Sequence, residues 1–442
     1  MTYPVVVVGA GPIGLAAAAE LVEREVDVVV LEQGDAAGRA VSEWGHVRLF
    51  SPWRELVAPA AARLLERAGW ARPAADRYPT GAEWASQYLR PLAAALGERV
   101  RFGAEVVGVA RRGRDRVVDA GRDTEPLTVH LRLSDGREVR VLARGVVDAS
   151  GTWGSPNPIG GDGLPALGEA AAAGTGRLSY RGPDLSLPEV RGRFAGRHVV
   201  VAGSGHSAQT ALVALARLAE EVDGTTVTWV VRRGSVGDTF GGGDADQLPA
   251  RGALGQRARQ AVEAGRVRVV TGFRTEAVEP LPGGRLRLTS VDGHTVDDVD
   301  RVVVLTGMRP DLSWLSELRL ELDATLQAPV KLAPMIDPNV HSCGSVAPHG
   351  VAELAHPEPG VYLAGMKSYG RAPTFLALAG YEQVRSIAAD LAGDRAAARR
   401  VELTLPESGV CGGSGDYDGD GGGCCGTPAG PEILTLDPPA RR

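Results

Sequence analysis

The sequence predicts an α/β protein built from two nucleotide-binding units, the second inserted into the first, with a flexible C-terminal tail. Three observations carry that prediction. A run of β-branched residues meets a glycine-rich turn and a helix former at the N-terminus; the same pattern restarts after Gly196; and a short strand and helix late in the chain return to the first unit.

Tyr3-Pro4-Val5-Val6-Val7-Val8 reads as a buried parallel strand. It runs into Gly9-Ala10-Gly11-Pro12-Ile13-Gly14, spaced G-x-G-x-x-G, and then into an alanine-rich helix from Leu15. Gly9 permits the tight turn, Gly11 lets the backbone approach a pyrophosphate, and Gly14 lets helix and strand pack closely. The free N–H groups and dipole at the helix start, around Pro12, suit phosphate. The next apolar strand, Val26 to Leu31, ends at Glu32-Gln33, where the Glu32 carboxylate can accept hydrogen bonds from a ribose diol. A glycine motif alone is also an ordinary turn; strand, helix and acid together favour a nucleotide.

At 442 residues, 44% apolar and 23% charged, the chain is expected to form two or three globular domains. No apolar run of roughly eighteen residues suggests a membrane span. No basic and apolar leader precedes the first strand, so a cytoplasmic protein is expected. A net charge of −6 gives no reason to expect a nucleic acid partner. The basic residues are almost all arginine; only Lys331 and Lys367 are lysine. Of the four cysteines, Cys343, Cys411, Cys424 and Cys425, three lie in one tail, unlike a secreted disulfide framework.

Gly34 to Pro52 reads as a loop rich in Gly, Arg and aromatic residues. Helices are predicted over 55–68 and 82–96, with Thr80 as a cap for the second. Short strands follow at 100–102, 105–110, 127–133 and 137–143, with a hairpin turn at Ser134-Asp135-Gly136. The strand at 145–148 ends in the small-residue turn Ala149-Ser150-Gly151, which can approach a nucleotide closely. A Pro- and Gly-rich crossing spans 155–194.

The second unit opens with a strand at 197–202 and Gly203-Ser204-Gly205-His206-Ser207-Ala208, a G-x-G-x-x-A motif, then a helix from Gln209. The next strand, 225–231, ends in Arg232-Arg233 where the first unit has an acid. Positive charge there suits a ribose 2′-phosphate, hence NADPH over NADH; two solvated surface arginines are the other reading. Strands at 267–270, 277–279, 286–290 and 301–305 complete the unit, followed by Thr306-Gly307-Met308-Arg309-Pro310. Gly360 to Gly365 and a helix over 372–392 return to the first unit. The expected domains are 1–165 and 306–402 for the first nucleotide, 166–305 for NADPH, and 403–442 as a Gly/Cys-rich tail.

This order of motifs resembles flavoproteins with paired FAD and NADPH domains of Rossmann-like fold, most of all the flavin-containing monooxygenases. The stretch Gly365 to Leu376 also looks like a flavoprotein group found in arsenic-resistance gene clusters. The resemblance implies that Gly9, Gly11, Pro12, Gly14, Glu32 and Gln33 hold FAD, that Val106 contacts the adenine, and that Arg39, Trp44 and Arg48 lie near the flavin. Ser150, Gly151 and Gly365 would close over the same cofactor; Gly203, Ser204, Gly205, His206, Ser207, Arg232 and Arg233 would hold NADPH. The sequence departs from the monooxygenases between the glycine motifs, where 167–180 has no histidine, and at Met366, which replaces the usual acid.

Flavin chemistry needs position, electrostatics and water exclusion from the protein, and no side-chain nucleophile. Reduced flavin could pass electrons to oxygen, with a small soft nucleophile (sulfur, nitrogen or trivalent arsenic) oxygenated, or to a disulfide or soft metal through the tail thiols. Cys411, Cys424 and Cys425 could themselves capture a soft metal or metalloid, since soft ions prefer thiolate; an incidental cysteine-bearing tail is the plainer reading. A non-enzymatic redox sensor is the third option. His46 is the most tempting acid–base candidate, although a packed loop histidine is the simpler reading. Trp44 and Trp53 read as packing residues.

Overall fold

A computed structural model describes residues 3–246, 248–339, 347–373 and 375–402. The chain enters β1 (Val5–Val8), all buried, then the Pro12–Glu23 helix and β2 (Val28–Leu31). A helical segment follows, then β3 (Val100–Arg101). β4 (Ala104–Arg111), β5 (Leu127–Leu133) and β6 (Glu138–Ala143) form an antiparallel meander, and β7 (Gly145–Asp148) returns to the first sheet. Beyond the crossing come β8 (Leu178–Ser179), β9 (His198–Ala202), the His206–Glu221 helix, β10 (Thr226–Val230), the Pro249–Glu263 helix and β11 (Arg268–Val270). A second meander, β12 (Thr275–Pro280), β13 (Leu286–Ser290) and β14 (Thr295–Val299), precedes β15 (Arg301–Val304). β16 (Val361–Leu363) and the Ala377–Leu391 helix rejoin the first unit.

The two units repeat one plan. The first sheet has the order β16-β7-β1-β2-β3 and the second β11-β10-β9-β15-β8, each parallel throughout, and each unit carries a three-stranded antiparallel meander. In each sheet the first long strand, β1 or β9, is flanked by the next strand on one side and a later one on the other. That reversal of strand order opens a crevice at the carboxyl ends, where ligands of open α/β sheets bind.

The cores follow from strands apolar on both faces. Val5 and Val7 pack with Leu15 and Leu21 of the first helix and with Val384 and Ile387 of the Ala377–Leu391 helix, whereas Val6 and Val8 face the meander residues Val109, Val129 and Leu131. The second unit repeats this with Val199 and Val201 on Leu212 and Leu215. Two crossing segments join the units and pair with each other: Asn157 N–H donates to Gly307 O and Arg309 N–H to Ser155 O, each at 2.9 Å.

Several elements differ from the sequence expectation. The helix predicted over 55–68 is two pieces, Trp53–Leu56 and Pro59–Arg67, because Pro59 starts a new helix after extended Val57 and Ala58. The helix predicted over 82–96 contains a π turn at Ala85–Leu89, ahead of Pro91, which has no N–H to give. Thr80 does cap it: its hydroxyl accepts from Glu83 N–H at 3.2 Å and Glu83 accepts from Thr80 N–H at 2.8 Å. The Pro249–Glu263 helix and β14 have no counterpart in the sequence reading.

Candidate functional site

The carboxyl ends of β1 and β9 open into one cavity of about 2170 Å³. From the first unit it is lined by Gly9, Gly11, Pro12, Glu32, Gln33, Arg39, Trp44, Arg48, Val106, Ser150, Gly151 and Gly365. From the second it is lined by Gly203, Ser204, Gly205, His206, Ser207, Arg232 and Arg233. The sequence motifs thus converge on one space although they lie in separate sheets. Gly14 lies behind it, where a Cβ would come 1.9 Å from the Gly9 carbonyl oxygen. Cys411, Cys424 and Cys425 lie outside the described residues, as do Cys343 and His341.

Each cradle is built the same way. Gly9 has φ +98°, and a Cβ there would meet Ala149 O at 2.9 Å. Gly203 has φ +120°, and a Cβ there would meet Leu305 O at 2.2 Å. The turn after the first strand therefore rests directly on the turn after the later neighbouring strand. Gly11 and Gly205, by contrast, face open space, with nothing within 4 Å of a would-be Cβ. Each is the residue before a long helix, and neither helix start has a side-chain cap. Uncapped N–H groups facing open space are what a diphosphate requires.

At the end of β2 the Glu32 carboxylate is held by backbone on both oxygens, accepting from Ala10 N–H and Gly34 N–H at 2.8 Å each. The remaining lone pairs are free to accept from a diol. The stem of Arg39 lies against Gly34, beside Glu32. Arg48 donates to Tyr78 O at 2.5 Å and bridges to Thr80, which fixes the loop wall. At the end of β10, Arg232 donates to Gly161 O at 3.2 Å, and both arginines of the pair line the cleft.

The two units also touch across the cleft. The Phe50 ring meets His206 edge-on at 5.2 Å. Burial pushes the His206 imidazole down to about 4, with the Arg251 guanidinium acting in the same direction. His206 is therefore neutral at the start of its helix. Between the cradles, the Arg181 guanidinium stacks on Trp153 at 3.8 Å, and the Trp153 indole donates to Glu43 at 2.6 Å. His46 lines the same cavity.

One group escaped the sequence reading. Lys367, 1% exposed, follows β16 and places its ammonium 2.8 Å from Asp148 Oδ2 at the end of β7. Asp148 is fully buried, and this oxygen has no aligned hydrogen bond, so charge holds the contact. Lys367 Nζ also donates to the Ser150 hydroxyl at 3.0 Å and lies 4.6 Å from the centre of the Trp314 ring. The other Asp148 oxygen accepts from Ser150 N–H at 3.0 Å and its hydroxyl at 2.6 Å. The signal was the rarity of lysine in an arginine-dominated chain. Gly365 is fixed from behind: its N–H donates to Gln383 Oε1 at 2.8 Å, and the Gln383 amide donates to Ser368 and His349.

Among the described residues no cluster of three His, Cys, Asp or Glu side chains could hold a metal, and no helix is long and apolar enough to cross a membrane.

Comparison with known proteins agrees with this architecture. The model of the pyridine nucleotide-disulphide oxidoreductase family matches residues 3–360. Among curated proteins, indole-3-pyruvate monooxygenase YUCCA1 of Oryza sativa subsp. japonica is 33% identical over 219 residues, which is 48% of this chain and 45% of that protein. The chain thus spans less than half the length of that relative. The fold is similar to bacillithiol disulfide reductase Bdr of Bacillus cereus, with TM-score 0.65 and 20% identity over 89% of this chain and 99% of that one. It is also similar to a flavin-containing monooxygenase of Stenotrophomonas maltophilia, with TM-score 0.58 and 24% identity over 89% and 99%. DfoA of Erwinia amylovora, a cadaverine monooxygenase solved with FAD bound, gives TM-score 0.62 and 15% identity over 92% and 98%. With two dinucleotide cradles facing one cleft and the family matched along most of its length, this chain belongs to the pyridine nucleotide-disulphide oxidoreductase family.

Proposed function

We propose that this chain is an NADPH-dependent flavin monooxygenase that oxygenates a small soft nucleophile, at sulfur, nitrogen or trivalent arsenic. The observation that carries the reading is the shared cleft together with the absence of cysteine from residues 1–342. Reduction of a disulfide needs a thiol beside the flavin to exchange with it, and among the described residues no cysteine lines the cleft. The kinship with a protein named as a monooxygenase supports the same side.

Residues 1–165 and 306–402 take FAD, and residues 166–305 take NADPH. The uncapped helix start at Gly11 and Pro12 holds the FAD diphosphate, Glu32 accepts from the adenosine ribose, and Val106 lies against the adenine. Gly203 to Ser207 hold the NADPH diphosphate, and Arg232 and Arg233 bind its 2′-phosphate. When bound, FAD supplies the electron and oxygen chemistry. The chain orients the two cofactors, and its Trp153–Arg181–Glu43 wall limits water between the cradles. The reaction belongs to the cytoplasm on this reading.

A second reading rests on the vicinal pair Cys424-Cys425 and on Cys411. These tail thiols would relay electrons to a disulfide or a soft metal, or capture the metal, as the family's description for disulphides suggests. One experiment separates the two. The FAD-loaded protein is mixed with NADPH in air, with a thioether, arsenite or a disulfide in separate reactions. Oxygenated product with matching NADPH consumption is expected from the thioether or arsenite, unchanged when the three tail cysteines are replaced by serine. NADPH consumption only with the disulfide, abolished by those replacements, would overturn the monooxygenase reading.

A further inference from the structure

We infer that Lys367 and Asp148 form an ion pair that sets the electrostatic environment of the flavin end of the cleft, with Lys367 as the residue that raises the flavin's midpoint potential. This rests on the FAD reading above and adds a residue to it.

Sheet order gives the direction. Glu32, at the end of β2, marks the ribose end of the cradle, and the Gly9–Gly14 turn, at the end of β1, marks the diphosphate. β7 and β16 continue the same row on the far side of β1. A dinucleotide laid along these strand ends runs from adenosine over β2, through diphosphate over β1, toward its flavin half over β7 and β16. Asp148 ends β7, and Lys367 follows β16. Lys367 and Ser150 both line the cavity there, whereas Asp148 lies beneath them.

The pair is not an ordinary staple. A buried ammonium and carboxylate are costly to desolvate, and apolar residues would stabilise such a position at least as well. The charge is also lopsided toward the cleft, because Lys367 is one of the residues lining it and Asp148 is not. A fixed positive charge beside a group that gains electrons favours its reduced form, and low local polarity strengthens the effect. Trp314 covers the ammonium on another side, and the Lys367–Ser150 hydrogen bond holds the Ser150–Gly151 turn in place.

The test is the midpoint potential of the bound flavin in Lys367→Met, Asp148→Asn and the double variant. Lys367→Met should lower the potential and Asp148→Asn should raise it. Each shift should be at least tenfold in the reduction equilibrium, or about 30 mV for two electrons. The double variant, neutral in place of neutral, should return to within threefold of wild type. A loss of packing alone would not give shifts of opposite sign. If Lys367→Met fails to fold, the Asp148→Asn protein and the double variant still differ by a single positive charge, and the potential must fall between them. Single-variant shifts of the same sign, or equal potentials in flavin-loaded proteins, overturn the inference. A wild-type protein that takes up no flavin would instead overturn the FAD reading itself.

Discussion

Glu32 accepts the Ala10 N–H at 2.8 Å, so the acid that ends β2 also fastens the glycine turn that ends β1. The carboxylate accepts from Gly34 N–H with its other oxygen. Glutamine in its place can accept at only one oxygen and must turn its NH2 toward one of these two donors. A charge-assisted hydrogen bond is worth about 1.5–3 kcal/mol. Glu32→Gln should therefore weaken FAD binding by roughly ten- to a hundredfold. Titration of the apoprotein with FAD, followed by flavin fluorescence, checks this.

Gly203 and Gly205 sit two positions apart and should behave oppositely. Alanine at 203 drives a Cβ to 2.2 Å from Leu305 O at φ +120°, so the second sheet must shift. Gly203→Ala should destabilise the protein by on the order of 3 kcal/mol. Alanine at 205 meets nothing in the protein, so Gly205→Ala should keep its melting temperature. Its methyl group would stand where the diphosphate approaches, and NADPH affinity should fall about tenfold. Thermal melts and NADPH titrations of both variants read the contrast.

Arg232 and Arg233 line the cleft at the end of β10, where the first unit has Glu32 at the end of β2. Replacing both with alanine should raise KM for NADPH by roughly ten- to a hundredfold per lost charge-assisted bond, with KM for NADH little changed. Equal loss with both coenzymes would show that the arginines serve only the fold.

The sequence revealed the cradles because their chemistry is local. Strand, turn glycines and helix lie within about twenty residues, and each glycine's role is set by neighbours in that stretch. The Asp148–Lys367 pair is different: two residues 219 positions apart meet only because β7 and β16 pair in the sheet. The Pro249–Glu263 helix was missed for another reason. Its buried face is Arg251, Gly252, Leu254, Gly255, Ala258 and Ala261, too small and polar to give an apolar stripe. Close approach replaces hydrophobic bulk there: a Cβ on Gly255 would come 1.8 Å from Phe240 O. The wall formed by Glu43, Trp153 and Arg181 likewise draws on three distant segments, and no spacing rule connects them.

Glu358, 1% exposed, holds Arg111 and Arg122 at 2.7 Å each and accepts from Arg319 N–H at 3.0 Å. These contacts tie the first meander to the chain entering β16. Despite its burial, the arginines hold the Glu358 carboxyl below the usual carboxylate range. Glu358→Ala leaves two buried guanidinium groups without their shared partner and should cost about 3–5 kcal/mol. Denaturant unfolding checks it. The deficit should shrink at low pH, because a carboxylate with a depressed folded pKa contributes its stability above its unfolded value and loses it as pH falls through the folded one.

His206 and His356 give a pH dependence of the same sign in a higher pH window, from a common cause. Burial pushes both imidazoles from 6.5 down to about 4. Between those values the unfolded chain binds a proton at each position and the folded protein does not. Stability therefore rises with pH from about 4 to 6.5, by at most about 1.4 kcal/mol per pH unit for each group. Glutamine at either position should remove one contribution from the slope. The two differ in what NADPH does to them. His206 opens the helix whose uncapped N–H groups face the cleft, and a diphosphate there favours the imidazolium. His356 instead accepts from Glu321 N–H at 3.3 Å and does not line the cleft. Saturating NADPH should therefore flatten the part of the slope that His206→Gln abolishes and leave the His356 part intact. Melting curves between pH 4.5 and 7, with and without nucleotide, measure both; a slope indifferent to NADPH in the wild type would mean that no phosphate reaches this helix start.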